Sequence, residues 1–281
     1  MSMNIDIYAQ RAAAASPFED GDYIGADGLL VCHKCNTPKQ CRVQNPFFPA
    51  LKDVRSCLCK CAEEAREAEQ RRREHEEFLL KCEKYRRLGF EDEKMQQWTF
   101  ANDDGGNPAL TKAMLNYVAN FGALKAQGKG LLMYGSVGSG KTYAACEVAN
   151  ELIDKGHPVL VTNFIKIVNI LQENFSGRQK YIDSLNRFSL LVLDDLDVER
   201  DSDYMLENVY SVVDARYRAG LPMIITTNLT GAKLKNPDNI SKERIYSRLL
   251  ERCHPIEVNA KDRRKAALKD DYAEMKRLLG V

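Results

Sequence analysis

Residues 131–142 read Leu-Leu-Met-Tyr-Gly-Ser-Val-Gly-Ser-Gly-Lys-Thr. The last eight, Gly135-Ser136-Val137-Gly138-Ser139-Gly140-Lys141-Thr142, form a complete G-x-x-x-x-G-K-[ST] phosphate loop. Leu131 to Tyr134 predicts a short apolar strand, and Thr142 to Ile153 a helix. Glycines let backbone N–H groups turn inward onto phosphate oxygens, and the helix N-terminus adds the positive end of its dipole. Lys141 is predicted to reach the β- and γ-phosphates, and the Thr142 hydroxyl to take one Mg²⁺ position. With strand, loop and helix in register, a bound nucleoside triphosphate is expected.

The bulk properties narrow the rest. Net charge is +1 over 281 residues, so any contact with nucleic acid must come from local basic patches. The opening residues lack a basic stretch followed by an apolar run, so no signal peptide is expected. No apolar run approaches the ~20 residues of a membrane span. Six of the nine cysteines fall between Cys32 and Cys61. Beside a phosphate loop and without an export signal, that cluster predicts metal binding in a cytoplasmic protein rather than a disulfide framework.

Composition separates three regions. Residues 1–61 carry the cysteines and predict a small metal-binding domain. Residues 62–94 predict a charged helical connector, because Glu63, Glu67 and Arg71, then Glu69 and Arg73, follow the i,i+4 spacing of a solvated helix. Its later half gathers Phe78, Leu79, Cys82, Tyr85 and Leu88 on one face, which predicts docking there. Residues 95–281 alternate helix and strand: a helix near Pro108 to Ala126, the loop helix, strand Val159 to Thr162, helix Phe164 to Phe175, strand Leu190 to Leu193, helix Asp203 to Arg218, strand Met223 to Thr226. Such alternation predicts an α/β fold with a parallel sheet flanked by helices on both faces.

Two strand ends bring further chemistry. Leu190-Leu191-Val192-Leu193-Asp194-Asp195 delivers two carboxylates to the carboxyl edge of the sheet, where parallel sheets bind ligands. Asp194 is expected to hold Mg²⁺ and Asp195 to polarise an attacking water. Asp195 is one methylene shorter than the glutamate common in related ATPases. Ile224-Ile225-Thr226-Thr227-Asn228 ends in an amide able to bond a γ-phosphate or the water.

In their joint order, the phosphate loop, L-L-V-L-D-D-L, ENVYSVVDARYRAGLP, I-I-T-T-N-L and ERIYSRLLERCHPIEV resemble the AAA+ ATPases of the DnaC/DnaI helicase-loader and IstB group, over roughly residues 95–281. The resemblance implies ATP as the nucleotide, Gly135 to Thr142 as Walker A, Asp194 and Asp195 as Walker B, and Asn228 as sensor 1. It places arginine fingers at Arg244 and Arg248 and sensor 2 at Arg264, with Arg263 the register alternative. Fingers imply a homo-oligomer in which one subunit completes its neighbour's site. The separate helical lid of many AAA+ proteins is expected to be absent. Loaders of this group also carry a helical insertion that contacts single-stranded DNA. Here it would span Phe164 to about Tyr181, with Lys166, Arg178 and Lys180 toward phosphates and Phe164 or Phe175 toward bases.

The N-terminal cysteines read Cys32-x₂-Cys35, Cys41, then Cys57-x-Cys59-x-Cys61. A C-x₂-C knuckle puts two thiolates on one ion, and a second pair closes a tetrahedral Zn²⁺ site. So small a segment has little core, and metal can supply much of its folding free energy. Cys32, Cys35, Cys59 and Cys61 are the expected ligands, with Cys57 the first substitute, then Cys41 and His33. An iron–sulfur cluster is the minor alternative. Cys82, Cys146 and Cys253 are expected to be packing residues. The resemblance then implies an ATP-dependent loader of a replicative DNA helicase onto single-stranded DNA. The alternatives are a transposition helper of the IstB type, which resembles the ATPase part alone, or a nucleotide-switched DNA-binding adaptor with little turnover.

Overall fold

Strands that are buried on both faces need an unbroken apolar run, and four stretches of the chain supply one. These are β5 (Gly130–Tyr134), β6 (Val159–Asn163), β7 (Leu190–Asp194) and β8 (Met223–Thr227), each buried over its first four residues. With β9 (Cys253–Glu257) they make one parallel sheet in the order β6-β7-β8-β5-β9. The computed structural model describes residues 18–45, 47–48, 52–173, 175–196, 203–260, 262, 272 and 275–280.

Alternate residues of each strand face opposite layers, as the pleat requires. Leu190 and Val192 pack with Leu131, Met133 and Ile224 against α2 (Pro108–Ala119) and α4 (Lys141–Asp154). Leu191 and Leu193 pack with Leu132 and Ile225 against α5 (Phe164–Glu173), α6 (Arg178–Leu185), α7 (Asp203–Arg218) and α9 (Ile240–Arg252). The two short helices are α3 (Phe121–Ala126) and α8 (Gly231–Lys235). Gly130 permits the tight β5–β8 approach: a Cβ there would lie 1.8 Å from the Met223 carbonyl oxygen.

Two details depart from the expected elements. The helix expected from Pro108 to Ala126 breaks at Asn120, which caps α2 and opens α3. β9 was not expected from sequence, since Cys-His-Pro-Ile-Glu has neither alternation nor an apolar run. Among the described residues it pairs only with β5 and forms the sheet edge, and an edge strand tolerates proline.

The chain divides into two compact units, Met1–Phe78 and Leu79–Val281, with the division inside the long helix α1 (Lys60–Gly89). In the first unit, β1 (Tyr23–Ile24) pairs antiparallel with β2 (Leu30–Val31), and β3 (Gln40–Gln44) with β4 (Lys52–Ser56). Asp22 organises it, accepting hydrogen bonds from Lys39 Nζ at 2.6 Å and from the Glu19 and His33 backbone amides. The Lys39 ammonium holds the Asp22 carboxyl well below the usual carboxylate range. Among the described residues, no helix is long and apolar enough to cross a membrane.

Candidate nucleotide site and cysteine cluster

The parallel register puts the ends of β5, β7 and β8 side by side, and each carries part of one site. After β5 the chain turns through the glycines, with Gly140 in the left-handed region at φ 94° as the residue that opens α4. A Cβ is disfavoured at that backbone angle, which explains glycine there. Lys141, the first residue of α4, folds back over the loop. Its ammonium donates to the carbonyls of Ser136 at 2.7 Å and Gly135 at 3.1 Å, and to Asn228 Oδ1 at 3.0 Å.

Asn228 is the junction between the strands. Its Nδ2 donates to Asp195 Oδ1 at 3.0 Å, so one amide links the loop lysine to the second aspartate. Asp195 itself has φ 55°, a left-handed conformation that aspartate adopts more readily than most residues. Its backbone N–H donates to Thr226 Oγ1 at 2.9 Å. Asp194 Oδ1 accepts from Thr142 Oγ1 at 2.8 Å and from Thr226 Oγ1 at 2.5 Å. A hydroxyl and a carboxylate so placed, both hard oxygen donors at the loop, fit a Mg²⁺ that also binds substrate phosphates.

These residues line a cleft of about 540 Å³. Trp98, Asn102, Asp104 and Tyr143 line it too, and sequence reasoning missed all four. Trp98 stacks on Tyr143 with ring centroids 5.7 Å apart and planes 26° from parallel. Two half-buried rings and two exposed polar side chains suit a nucleobase, which needs a flat apolar face and hydrogen-bonding edges. The one available signal was that Trp98, the only tryptophan, stands outside any helix or strand pattern.

The remaining expected residues lie elsewhere. Arg244 and Arg248, on α9, are not among the residues lining this cleft. Arg264 and its alternative Arg263 lie outside the described residues. Phe164 is buried in the core and offers no face to a base. The Phe175 side chain lies outside what is described. Lys166 pairs with Glu91, while Arg178 bonds Asn208 and lies over the Tyr204 ring at 5.6 Å. Lys180 is exposed.

In the first unit, Cys32, Cys35, Cys59 and Cys61 come together with all four Sγ atoms within 4.8 Å of one another. Cys61 Sγ lies 3.4 Å from that of Cys59 and 3.6 Å from that of Cys32. A tetrahedral ion with bonds of about 2.3 Å sets sulfurs about 3.8 Å apart, so the donor set fits Zn²⁺. Hydrogen bonding to Cys59, Cys35 and Cys32 pushes the Cys61 thiol up to about 12. The substitutes sit apart: Cys57 turns its thiol to the Pro38 carbonyl at 3.6 Å, and His33 contacts Asp22. Cys82, Cys146 and Cys253 are buried.

A five-stranded parallel sheet that gathers a phosphate loop, paired aspartates and a polar strand tip defines an AAA+ ATP-binding protein. The chain belongs to the IstB-like ATP binding protein family, whose model matches residues 64–270. It is similar to the replicative helicase loader DnaI of Bacillus subtilis (strain 168), 26% identical over 183 residues, which covers 59% of this chain and 58% of that protein. It is also similar to the replicative helicase loader DnaC of Escherichia coli (strain K12), 27% identical over 150 residues, 52% of this chain and 58% of that protein. The chain thus spans less than two thirds of either relative. A crystal structure of the DnaC helicase loader shares the fold, with a TM-score of 0.52, 23% identity, and coverage of 60% of this chain and 100% of that one.

Proposed function

We propose that this chain is an ATP-dependent loader that places a replicative DNA helicase on single-stranded DNA, working as a homo-oligomer during the initiation of replication. The observation that carries this reading is that one chain joins a cleft lined by a phosphate loop and paired aspartates to a compact four-thiol module. Two relatives named as helicase loaders support the choice of client. In the site, Lys141 exchanges loop carbonyls for β- and γ-phosphate oxygens. Thr142 and Asp194 hold Mg²⁺, which neutralises phosphate charge when bound. Asp195 orients the attacking water, and Asn228 sets both Asp195 and the γ-phosphate end. Arg248, with Arg244, reaches the triphosphate of a neighbouring subunit, a contribution worth about 10³- to 10⁵-fold in rate where such fingers act. Cys32, Cys35, Cys59 and Cys61 hold Zn²⁺, which fixes the module that meets the helicase. The exposed Lys180 supplies a contact to the DNA backbone.

The test is retention of the replicative helicase of the source organism on the immobilised, zinc-loaded chain. Retention is expected with ATP, and it is weakened by Cys32→Ser with Cys35→Ser. No retention at low salt, with ATP or without it, contradicts the loader. One observation favours a second reading, an adaptor with little turnover: the Asp195 carboxylate is already engaged by Asn228. A wild type that binds ATP yet hydrolyses none, with or without single-stranded DNA, would support the adaptor.

A further inference from the structure

Arg248 is held in a way that an arginine on a solvated helix face does not need. Helix α7 sets Tyr210, Asp214 and Tyr217 on one stripe by the i, i+4, i+7 spacing, and α9 packs against it with Arg248 and Arg252. The Arg248 Nε donates to Asp214 Oδ1 at 2.8 Å, and its guanidinium lies 4.6 Å from the Tyr210 ring centre and 5.6 Å from that of Tyr217. Asp214 is only 8% exposed. Its second oxygen takes Arg218 Nε at 2.8 Å, so two guanidinium groups share one carboxylate and net positive charge remains on this face. Arg252 lies 4.7 Å over Tyr217, whose hydroxyl donates to Glu251 at 2.9 Å, so three arginines face two carboxylates and the face keeps a net positive charge.

We propose that Asp214, with Tyr210, is a positioning residue that sets the guanidinium of Arg248 toward a triphosphate bound by a second copy of the chain. This rests on Arg248 being the finger. Asp214 takes the Nε edge, and among the described residues one Nη reaches only the Arg244 carbonyl, at a long 3.5 Å. The Nη edge is therefore the part left to meet phosphate oxygens, for which a planar fork is suited. The rings and the carboxylate fix the side chain before subunits meet, so the rotamer entropy is already lost when the phosphate arrives. Lysine, a point charge on a flexible stem, lacks the planar fork that presents one edge to Asp214 and the other to phosphate.

The test is ATP hydrolysis in the presence of oligo(dT), with nucleotide binding followed separately by Trp98 fluorescence. Arg248→Ala and Arg248→Lys are both expected to lose most of kcat. Asp214→Asn is expected to lower kcat about 10- to 100-fold, the scale of a misplaced group, with KM for ATP and binding within about two-fold. Tyr210→Leu, which leaves the carboxylate in place, is expected to lower kcat in the same direction. Mixing separates positioning from damage to the subunit. Lys141→Ala has a dead nucleotide site but an intact finger, so adding it to Asp214→Asn restores hydrolysis. Adding Arg248→Ala to Asp214→Asn restores none. If Arg248→Ala hydrolyses ATP like the wild type, the finger itself is wrong. If Arg248→Ala is impaired but Asp214→Asn and Tyr210→Leu are not, the finger stands and the positioning role is overturned. If Asp214→Asn does not fold, Tyr210→Leu alone decides.

Discussion

At Asn228 the side-chain oxygen takes Lys141 and the side-chain NH₂ goes to Asp195, so a single amide spans the loop and the second aspartate. Asn228→Ala is expected to lower hydrolysis by roughly 10²-fold, the usual loss of one preorganised donor, while ATP still binds. Steady-state hydrolysis beside a binding titration checks this. Trp98 and Tyr143 predict an optical signal. ATP should change Trp98 fluorescence saturably, and Lys141→Ala should shift that titration to higher concentration by removing the phosphate contact. The phosphate-loop residues and the paired aspartates that line the cleft were legible in sequence because their chemistry fixes both type and spacing. Trp98 and Tyr143 were not, since 45 residues separate them and only the fold brings their rings together. The same holds for Arg248 and Asp214: the motif named the arginine, and nothing in it named the carboxylate 34 positions away.

Among the elements, α7 serves two faces. Toward α9 it carries Asp214. Toward the core it carries Arg216, fully buried, whose guanidinium donates to the carbonyls of Phe188 at 2.9 Å, Leu185 at 3.3 Å and Pro222 at 2.6 Å. Burial lowers its pKa to about 10, which still leaves it charged near neutral pH. It ties the end of α6 and the entry to β8 to one helix. Arg216→Leu would remove three charge-assisted hydrogen bonds, leaving the Leu185 and Pro222 carbonyls only the Phe188 and Leu191 amides, and is expected to cost about 3 kcal/mol, read as a lower midpoint in urea. Strand positions were legible because a strand buried on both faces is apolar throughout, as in Leu190 to Leu193. β9 was not, because an edge strand with one neighbour can carry Pro255 and polar residues. Asn120 broke an expected single helix because it caps one helix and opens the next, a choice local propensity does not reveal.

At the scale of the molecule, each unit is built around a different source of stability: a two-layered apolar core in one, and thiols with a buried ion pair in the other. Lys39 depresses the Asp22 pKa in the folded state. Asp22 therefore contributes stability that is present above the unfolded carboxylate pKa of about 4 and is lost as pH falls below it toward the folded value. The gap in stability between wild type and Asp22→Asn should be full near pH 6 and narrow as acid is added, followed by zinc release to a chromogenic chelator. A gap that does not change with pH would contradict the role of this pair. The four-thiol set was legible from spacing to the point of naming its members, but only the fold shows Cys57 turned away to Pro38. The ATPase cycle is proposed to place a helicase on DNA. The most direct measurement is assembly of the replicative helicase of the source organism on a closed single-stranded DNA circle, which has no end to thread. The zinc-loaded chain with ATP is expected to put the helicase on the circle, and Lys141→Ala is expected not to. Equal loading with Lys141→Ala, or none with the wild type, would contradict it.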